Sequence, residues 1–432
     1  MKYIVEPAND VEGVITVPGD KSISHRAVML ASIAKGRSHI SGFLEGEDCL
    51  ATLNAFEQMG VHVQRVSPGE LYIEGVGRDG LKQPKGTLDL GNSGTSMRLL
   101  TGLFSGLSFS VTLVGDQSLM KRPMRRVCDP LSLMNANLST SEDGTPPVSI
   151  SPAGQLQAIN YELPIASAQV KSAILLAGLY AQGITSLKEP KITRDHTERM
   201  LTAFGYPVQI QHGQVSLEGG KHLQATDIQV PADISSAAFF IIAACISRKG
   251  EITINNVGMN PTRTGVLDIL KAMNADFDVH DQIMMGGEPT ASITARSSQL
   301  IGVEIPAELV PSAIDEFPII CIAAACAEGT TRITNAEELR VKESDRISQM
   351  AHGLKTVGIE VEEHPDGLTI VGGEITGGRI DSGHDHRIAM AFAVASLAAS
   401  QVIEISECEN VATSFPGFVE LANSIGLNIS VD

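Results

Sequence analysis

The sequence predicts a mixed α/β (α+β) protein of two similar domains, each built from three βαβαββ repeats, and three observations carry that expectation. First, one segment recurs six times, starting at Pro18, Asp89, Pro164, Pro231, Pro311 and Asp381: a short lead ending in Pro or Asp/Gly, a few small polar or charged residues, then an apolar small-residue helix. Second, a helix apolar all round is a buried helix, so these six belong to the cores. Third, four of the six are followed by Gly, an alternating stretch, a polar helix and two further strands, as in GRSHISGFLEGEDCLATLNAFEQMGVHVQRV and GEITINNVGMNPTRTGVLDILKAMNADFDV. The order strand, buried helix, strand, amphipathic helix, strand, strand is legible from the change of period.

A chain of 432 residues exceeds what one core usually supports. Three buried helices precede roughly residue 225 and three follow it, which places one domain at 20–229 and the other at 1–19 with 230–432. Val17-Pro18-Gly19-Asp20 and Val230-Pro231-Ala232-Asp233 are near twins at the two crossings. They read as paired hinges, near 17–20 and 228–233. If the first strand, within residues 2–17, pairs with the second half, two crossovers let the domains close on a ligand.

Composition excludes several function classes. A net charge of −18 argues against nucleic acid, which needs a basic surface. The N-terminus MKYIVEPANDVEG has no apolar signal region, and runs such as AAFFIIAACI fall well short of the roughly 20 residues that span a bilayer. The six cysteines show neither a CxxC pair nor Cys/His metal spacing, and three lie in apolar helices, where Cys is usually a small buried hydrophobe. The expectation is a soluble cytoplasmic protein without a metal or cofactor.

The helix starts point to chemistry. A helix N-terminus has unpaired N–H groups and a partial positive charge, so several such ends facing one space, here expected to be the interdomain cleft, form an anion trap. Lys21, Arg26, Arg98, Lys171 and Arg387 lie in or near these starts. A basic residue in a first turn opposes the dipole, and several together point to a small, multiply negative ligand. Ser22, Ser93, Ser167, Ser235 and Ser312, taken singly, read as ordinary N-caps. The cluster KRPMRR, Lys121 to Arg126, stands out against the acidic background and reads as part of a ligand site.

Seven blocks in order, from Lys21-Ser22-Ile23-Ser24-His25-Arg26 through Gly91-Asn92-Ser93-Gly94-Thr95-Ser96-Met97-Arg98, Lys121-Arg122-Pro123-Met124, Arg194-Asp195-His196-Thr197-Glu198, Asp315-Glu316-Phe317-Pro318 and Arg340-Val341-Lys342-Glu343-Ser344-Asp345-Arg346 to Asp385-His386-Arg387, resemble the signature blocks of the 5-enolpyruvylshikimate-3-phosphate synthase family. The resemblance spans essentially the whole chain. It implies two domains of three βαβαββ units and a reaction that moves the enolpyruvyl group of phosphoenolpyruvate onto the 5-hydroxyl of shikimate-3-phosphate, releasing phosphate through a tetrahedral adduct. It also implies that Lys21, Gly94, Arg122, Gln169, Arg346 and Arg387 hold phosphoenolpyruvate. Lys21, Ser22, Arg26, Ser167, Gln169, Arg194, Asp315 and Lys342 would hold shikimate-3-phosphate, with Asn92, Thr95 and His386 as further candidates. Asp315 and Glu343 are the carboxylates suited to the proton transfers, with Lys21 as a cationic acid or as charge support. Taken alone, Glu343 reads as a helix-surface partner of Arg346 at i,i+3.

Ser167-Ala168-Gln169, Arg194 and Thr413-Ser414-Phe415-Pro416 resemble a divergent branch of the family known for weak inhibition by glyphosate, although that branch often has Ala at the position of Gly94. The sister family acting on UDP-N-acetylglucosamine usually has a Cys in the loop before its Arg-Pro, whereas Gly115 to Arg122 reads GDQSLMKR. A non-catalytic anion-binding repeat protein would not need Asp315 and Glu343 beside four cationic anchors. The expected partners are the two small-molecule substrates, and the expected state is a monomer.

Overall fold

The computed structural model describes residues 1–211 and 213–432. By its internal contacts the chain divides into two compact units, one of residues 19–230 with 285–287 and one of residues 1–18, 231–284 and 288–432. Each has its own hydrophobic core.

Six small sheets run through the described residues, five mixed ones of four strands and an antiparallel one of three. In the 19–230 unit, Leu88–Asp89 pairs parallel with Val111–Val114, which pairs antiparallel with Val148–Ser151, which pairs antiparallel with Asn137–Ser139. Asn160–Glu162, Ile184–Lys188, Gln214–Glu218 and Val208–Gln211 repeat that order. A parallel pair needs a crossover, and the buried helix supplies it: Gly94–Phe104 in the first case, Ala168–Gly178 in the second. The three-stranded sheet is extended by isolated parallel bridges, Ile301 to Glu328 and Glu304 to Arg332. A polar helix also follows the two repeats where the sequence pattern does not show one: Arg125–Leu133 leads to two strands, whereas Phe418–Ser424 leads to one, Asn428–Val431, which pairs with Tyr3–Glu6 from the N-terminus.

Residues 2–17 form two strands rather than the single one expected. Tyr3–Glu6 lies between Ile403–Ser406 and Asn428–Val431, while Asp10–Ile15 pairs parallel with Lys249–Gly258, so two different sheets of the same unit are completed from the N-terminus. Conversely Ile228–Gln229 pairs parallel with Lys35–Ser41 and opens the first sheet of the 19–230 unit.

The six buried helices are Lys21–Ile33, Gly94–Phe104, Ala168–Gly178, Ile234–Ile246, Phe317–Ala325 and His386–Ala395. Every residue of Ile234–Ile246 but the last is buried, as its all-round apolar sequence requires. Gly102 is fixed by packing: a Cβ there would come within 2.1 Å of the Ala173 carbonyl oxygen on the neighbouring helix. No helix among the described residues is long and apolar enough to cross a membrane.

The caps differ from the sequence reading. Asp20, Ser93, Ser167, Asp233 and Asp385 accept backbone N–H bonds at their helix starts. Ser22 and Ser235 lie inside the first turn, because the aspartates two residues earlier already cap it. Ser312 belongs to a separate short helix, Val310–Ala313, and the long helix begins only at Phe317. Two leads are built alike. The carboxylates of Asp89 and Asp381 accept from the N–H groups of Gly91 and Gly383 at 2.9 and 2.8 Å, and those glycines have φ of 57° and 59°. An Asx turn followed by a left-handed glycine delivers the chain to caps Ser93 and Asp385.

Candidate active site

In the 19–230 unit, Lys21 opens its helix and its ammonium pairs with Asp48, at the start of the Glu47–Gln58 helix. One turn on, Arg26 is buried and aligned on three sides. Its Nε donates to Thr197 Oγ1 at 2.7 Å, one terminal nitrogen to the Ser22 carbonyl at 2.8 Å and the other to Ser172 Oγ at 2.9 Å. Thr197 lies next to Glu198 in the first turn of the helix His196–Ala203, so the block containing Arg194 is tied to two buried helices. Arg194 itself is half-buried in the lead to that helix.

At the start of Gly94–Phe104, Arg98 donates to Gln169 Oε1, and Gln169 Nε2 donates to Thr95 Oγ1 at 3.1 Å. Arg122 donates to Asn92 Oδ1 at 2.9 Å, and Asn92 donates to Asp116 Oδ2 at 2.7 Å. Gly94 lies directly under these cations: a Cβ there would meet an Arg122 terminal nitrogen at 2.9 Å and one of Arg98 at 3.3 Å. The structure thus brings Gly94, Thr95, Asn92, Arg98, Arg122 and Gln169 together. Within KRPMRR it separates one residue from its neighbours: Arg122 is buried, while Lys121 and Arg125 are exposed.

Lys171 is corrected. Its ammonium is buried, 2.9 Å from Glu189 and 2.8 Å from Glu198, and donates to the Thr193 carbonyl at 3.3 Å. Burial works against its charge, but the two carboxylates outweigh that and raise its pKa. It is a scaffold cation that ties residues 189–198 to the Ala168–Gly178 helix. His25 and His196, at the starts of their helices, are both buried. His25 Nδ1 meets Thr52 Oγ1 at 2.7 Å and Ser96 Oγ at 3.4 Å, linking the starts of two buried helices. Burial first, and the charges of Lys21 and Arg26 second, hold it well below the usual imidazole range.

In the other unit, Arg346 is enclosed by carboxylates. Its Nε donates to Asp385 Oδ2 at 2.8 Å, one terminal nitrogen reaches Asp385 Oδ1 at 3.2 Å and Glu343 Oε2 at 2.8 Å, and the other lies 3.5 Å from Asp315 Oδ1. Burial disfavours the guanidinium charge, yet Asp385, Glu343 and Asp315 overcome this and raise its pKa. Lys342 Nζ stands 3.4 Å from Asp315 Oδ1. Arg387 donates through its side chain to the Asp315 carbonyl at 2.9 Å and through its backbone to the capping Asp385 at 2.9 Å. His386, beside it, is buried. The i,i+3 pairing of Glu343 with Arg346 does exist, but it belongs to a five-residue cluster of Asp315, Lys342, Glu343, Arg346 and Asp385 and not to an exposed helix face. The TSFP stretch ends a short helix, and Phe415 packs edge-on against Phe240 and Phe418.

Sequence reasoning gave no role to Asp48, Asp385 or Glu316. Asp385 had a signal, the Asp-x-Gly-x-[Ser/Asp] lead it shares with Ser93; Asp48 had none.

Comparison with known proteins bears on this arrangement. Residues 5–421 match the family described as EPSP synthase (3-phosphoshikimate 1-carboxyvinyltransferase). The chain is 57% identical over 431 residues to a 3-phosphoshikimate 1-carboxyvinyltransferase of Alkalilimnicola ehrlichii, covering 100% of this chain and 97% of that one. It is 56% identical to the protein of that name from Methylococcus capsulatus, covering 99% and 98%. The solved EPSP synthase from Acinetobacter baumannii superposes with a TM-score of 0.89 at 53% identity over the full length of both chains. The enolpyruvyl transferase NikO from Streptomyces tendae, at 18% identity, superposes with a TM-score of 0.81 over 99% and 98% of the chains, a likeness of fold.

Proposed function

The chain belongs to the EPSP synthase family, and from that premise we propose how its own residues carry the transfer of the enolpyruvyl group of phosphoenolpyruvate to the 5-hydroxyl of shikimate-3-phosphate. Lys21, Gly94, Arg122 and Gln169 of one unit, with Arg346 and Arg387 of the other, hold phosphoenolpyruvate. Lys21, Ser22, Arg26, Ser167, Gln169 and Arg194, with Asp315 and Lys342, hold shikimate-3-phosphate; Asn92, Thr95 and His386 line the same segments. Arginine suits this task because its planar fork meets carboxylate and phosphate oxygens two at a time.

The reaction needs a proton on the methylene carbon of phosphoenolpyruvate and loss of one from the attacking hydroxyl. The tetrahedral adduct then gives up phosphate and a methyl proton, restoring the double bond. Asp315 and Glu343 are the groups for these transfers, with Lys21 as charge support or acid. The observation that carries the reading is the cluster in which Arg346 lies 3.5 Å from the Asp315 carboxylate and 2.8 Å from that of Glu343, with Lys342 3.4 Å from the former. Two carboxylates placed against cations near helix starts combine proton acceptors with anion binding, which a purely structural ion pair does not require.

The enzyme works as a monomer in the cytoplasm on this reading, in keeping with six cysteines that form no disulfide among the described residues and with scattered exposed apolar side chains. Shikimate-3-phosphate with phosphoenolpyruvate should release phosphate in a colorimetric assay without added nucleotide. Turnover with UDP-N-acetylglucosamine in place of shikimate-3-phosphate, and none with the latter, would overturn the assignment.

A further inference from the structure

We propose that Glu316 is a positioning residue for Arg387, and through it for phosphoenolpyruvate; the inference rests on the reading of Arg387 as an anchor of that substrate. Glu316 immediately precedes the Phe317–Ala325 helix, at the position where a side chain commonly caps, yet it makes no capping bond. Its carboxylate instead points into a buried polar cluster. Oε1 accepts from Ser235 Oγ and lies 3.8 Å from a terminal nitrogen of Arg387 and 3.9 Å from one of Arg263. That Arg263 nitrogen also donates to Asp233 Oδ1 at 3.2 Å and to Ser235 Oγ. The side chain of Glu316 is 0% exposed and that of Arg263 3% exposed, whereas Arg387 keeps 13%.

A fully buried carboxylate is costly unless cations compensate it, and Glu316 Oε2 accepts no hydrogen bond among the described residues. Its retention therefore calls for an account beyond packing. Arg387 supplies one. This arginine sits in the first turn of His386–Ala395, where a positive charge opposes the dipole. Its backbone is tied to Asp385 and one side-chain nitrogen to the Asp315 carbonyl, the residue just before Glu316. Glu316 thus draws the Arg387 fork back onto the backbone of Asp315, while Arg263 and Ser235 keep Glu316 from collapsing onto Arg387 as a closed pair. The charge that reaches the ligand is set by this balance: Arg263 is divided between the carboxylates of Asp233 and Glu316, and Arg387 lies beside that of Glu316.

Glu316→Gln keeps the shape and removes the charge. In steady-state kinetics on the full chain it should raise KM for phosphoenolpyruvate roughly ten- to hundredfold, the scale of a charge-assisted contact, with kcat and KM for shikimate-3-phosphate changed by about twofold or less. Combined with Arg387→Lys it should add almost nothing, because both act through one guanidinium. If Glu316→Gln does not accumulate as folded protein, Ser235→Ala, which removes a donor to Glu316 without changing charge, carries the same expectation at a severalfold rise. A drop in kcat with both KM values unchanged, equal rises in both, or full additivity with Arg387→Lys would each overturn the proposal. A silent Arg387→Lys would instead overturn the reading of Arg387 as an anchor. A large effect of Arg387→Lys beside a silent Glu316→Gln leaves that reading intact and removes only the role of Glu316.

Discussion

The two units handle cations differently. In the 19–230 unit, hydroxyl, amide and carbonyl oxygens orient the guanidinium groups: Thr197, Ser172 and the Ser22 carbonyl for Arg26, Gln169 for Arg98, Asn92 for Arg122. In the other unit carboxylates do so: Asp385, Glu343 and Asp315 for Arg346, Asp315 for Lys342. A neutral acceptor fixes direction without cancelling charge, which suits a cation meant for an anionic ligand. A carboxylate cancels charge but brings a group that can carry a proton, which suits the acid–base side of the reaction. Arginine thus keeps its charge uncancelled at Arg26, Arg98 and Arg122, whereas Arg346, a binding residue in its own right, is also placed beside the proton carriers.

Lys171 marks the boundary of that contrast. It lies in the first unit at a helix start, as Lys21 does, but Lys21 pairs with Asp48 and stays partly exposed, whereas Glu189 and Glu198 enclose Lys171 as firmly as carboxylates enclose Arg346. The sharpest test of the contrast is therefore to remove a charge that is purely structural and compare. Asp385→Ala and Lys171→Ala each strand buried charge and should destabilise their units by about 3–5 kcal/mol in denaturant unfolding. Any Lys171 variant that still folds should keep both KM values; a selective rise in one would break the distinction between scaffold and binding cations.

Next in size are the proton carriers. Asp315→Asn and Glu343→Gln should each lower kcat by roughly a hundredfold or more while circular dichroism stays native. An almost unchanged kcat for the Glu343 variant would reduce that residue to an ion-pair partner of Arg346. Arg122→Lys follows: loss of the planar fork should cost about 1.5–3 kcal/mol in kcat/KM for phosphoenolpyruvate, and parent-like kinetics would deny the neutral-acceptor arginines their binding role.

Gly94→Ala should act more gently. The added methyl would press on the movable ends of Arg122 and Arg98 and not on backbone, so KM for phosphoenolpyruvate should rise severalfold with kcat preserved. The smallest effect concerns pH. Burial and the nearby cations depress the folded-state pKa of His25, so the stability it contributes is present above the unfolded imidazole value of about 6.5 and is lost as pH falls below it, where the unfolded chain binds the extra proton. His25→Asn should flatten the stability slope just below that pH; an unchanged slope would mean that His25 is protonated in the fold.

What the chain determined by itself was its periodicity. All-round apolar runs specify buried helices, the turn into parallel strands demands crossovers, and Asp-x-Gly leads place caps, because each of these depends on residues close in sequence. Even there the limit shows at residues 2–17, where two short strands serve two sheets, a choice made by partners hundreds of residues away. The family blocks likewise identified Lys21, Arg122, Asp315, Glu343, Arg346 and Arg387 as candidates.

Only the tertiary structure decided what each charge faces. Nothing local distinguishes Arg122 from Lys121 or Lys171 from Lys21, yet Arg122 turns inward to Asn92, 30 positions away, and Lys171 is neutralised by Glu189 and Glu198, 18 and 27 positions on. Glu316 looked like a neighbour of Asp315 and proves to be a buried partner of Ser235, 81 positions earlier. The physical reason is one of range: backbone conformation answers to near neighbours, whereas the work a buried charge can do depends on the few groups within about 4 Å, which distant parts of the chain bring there.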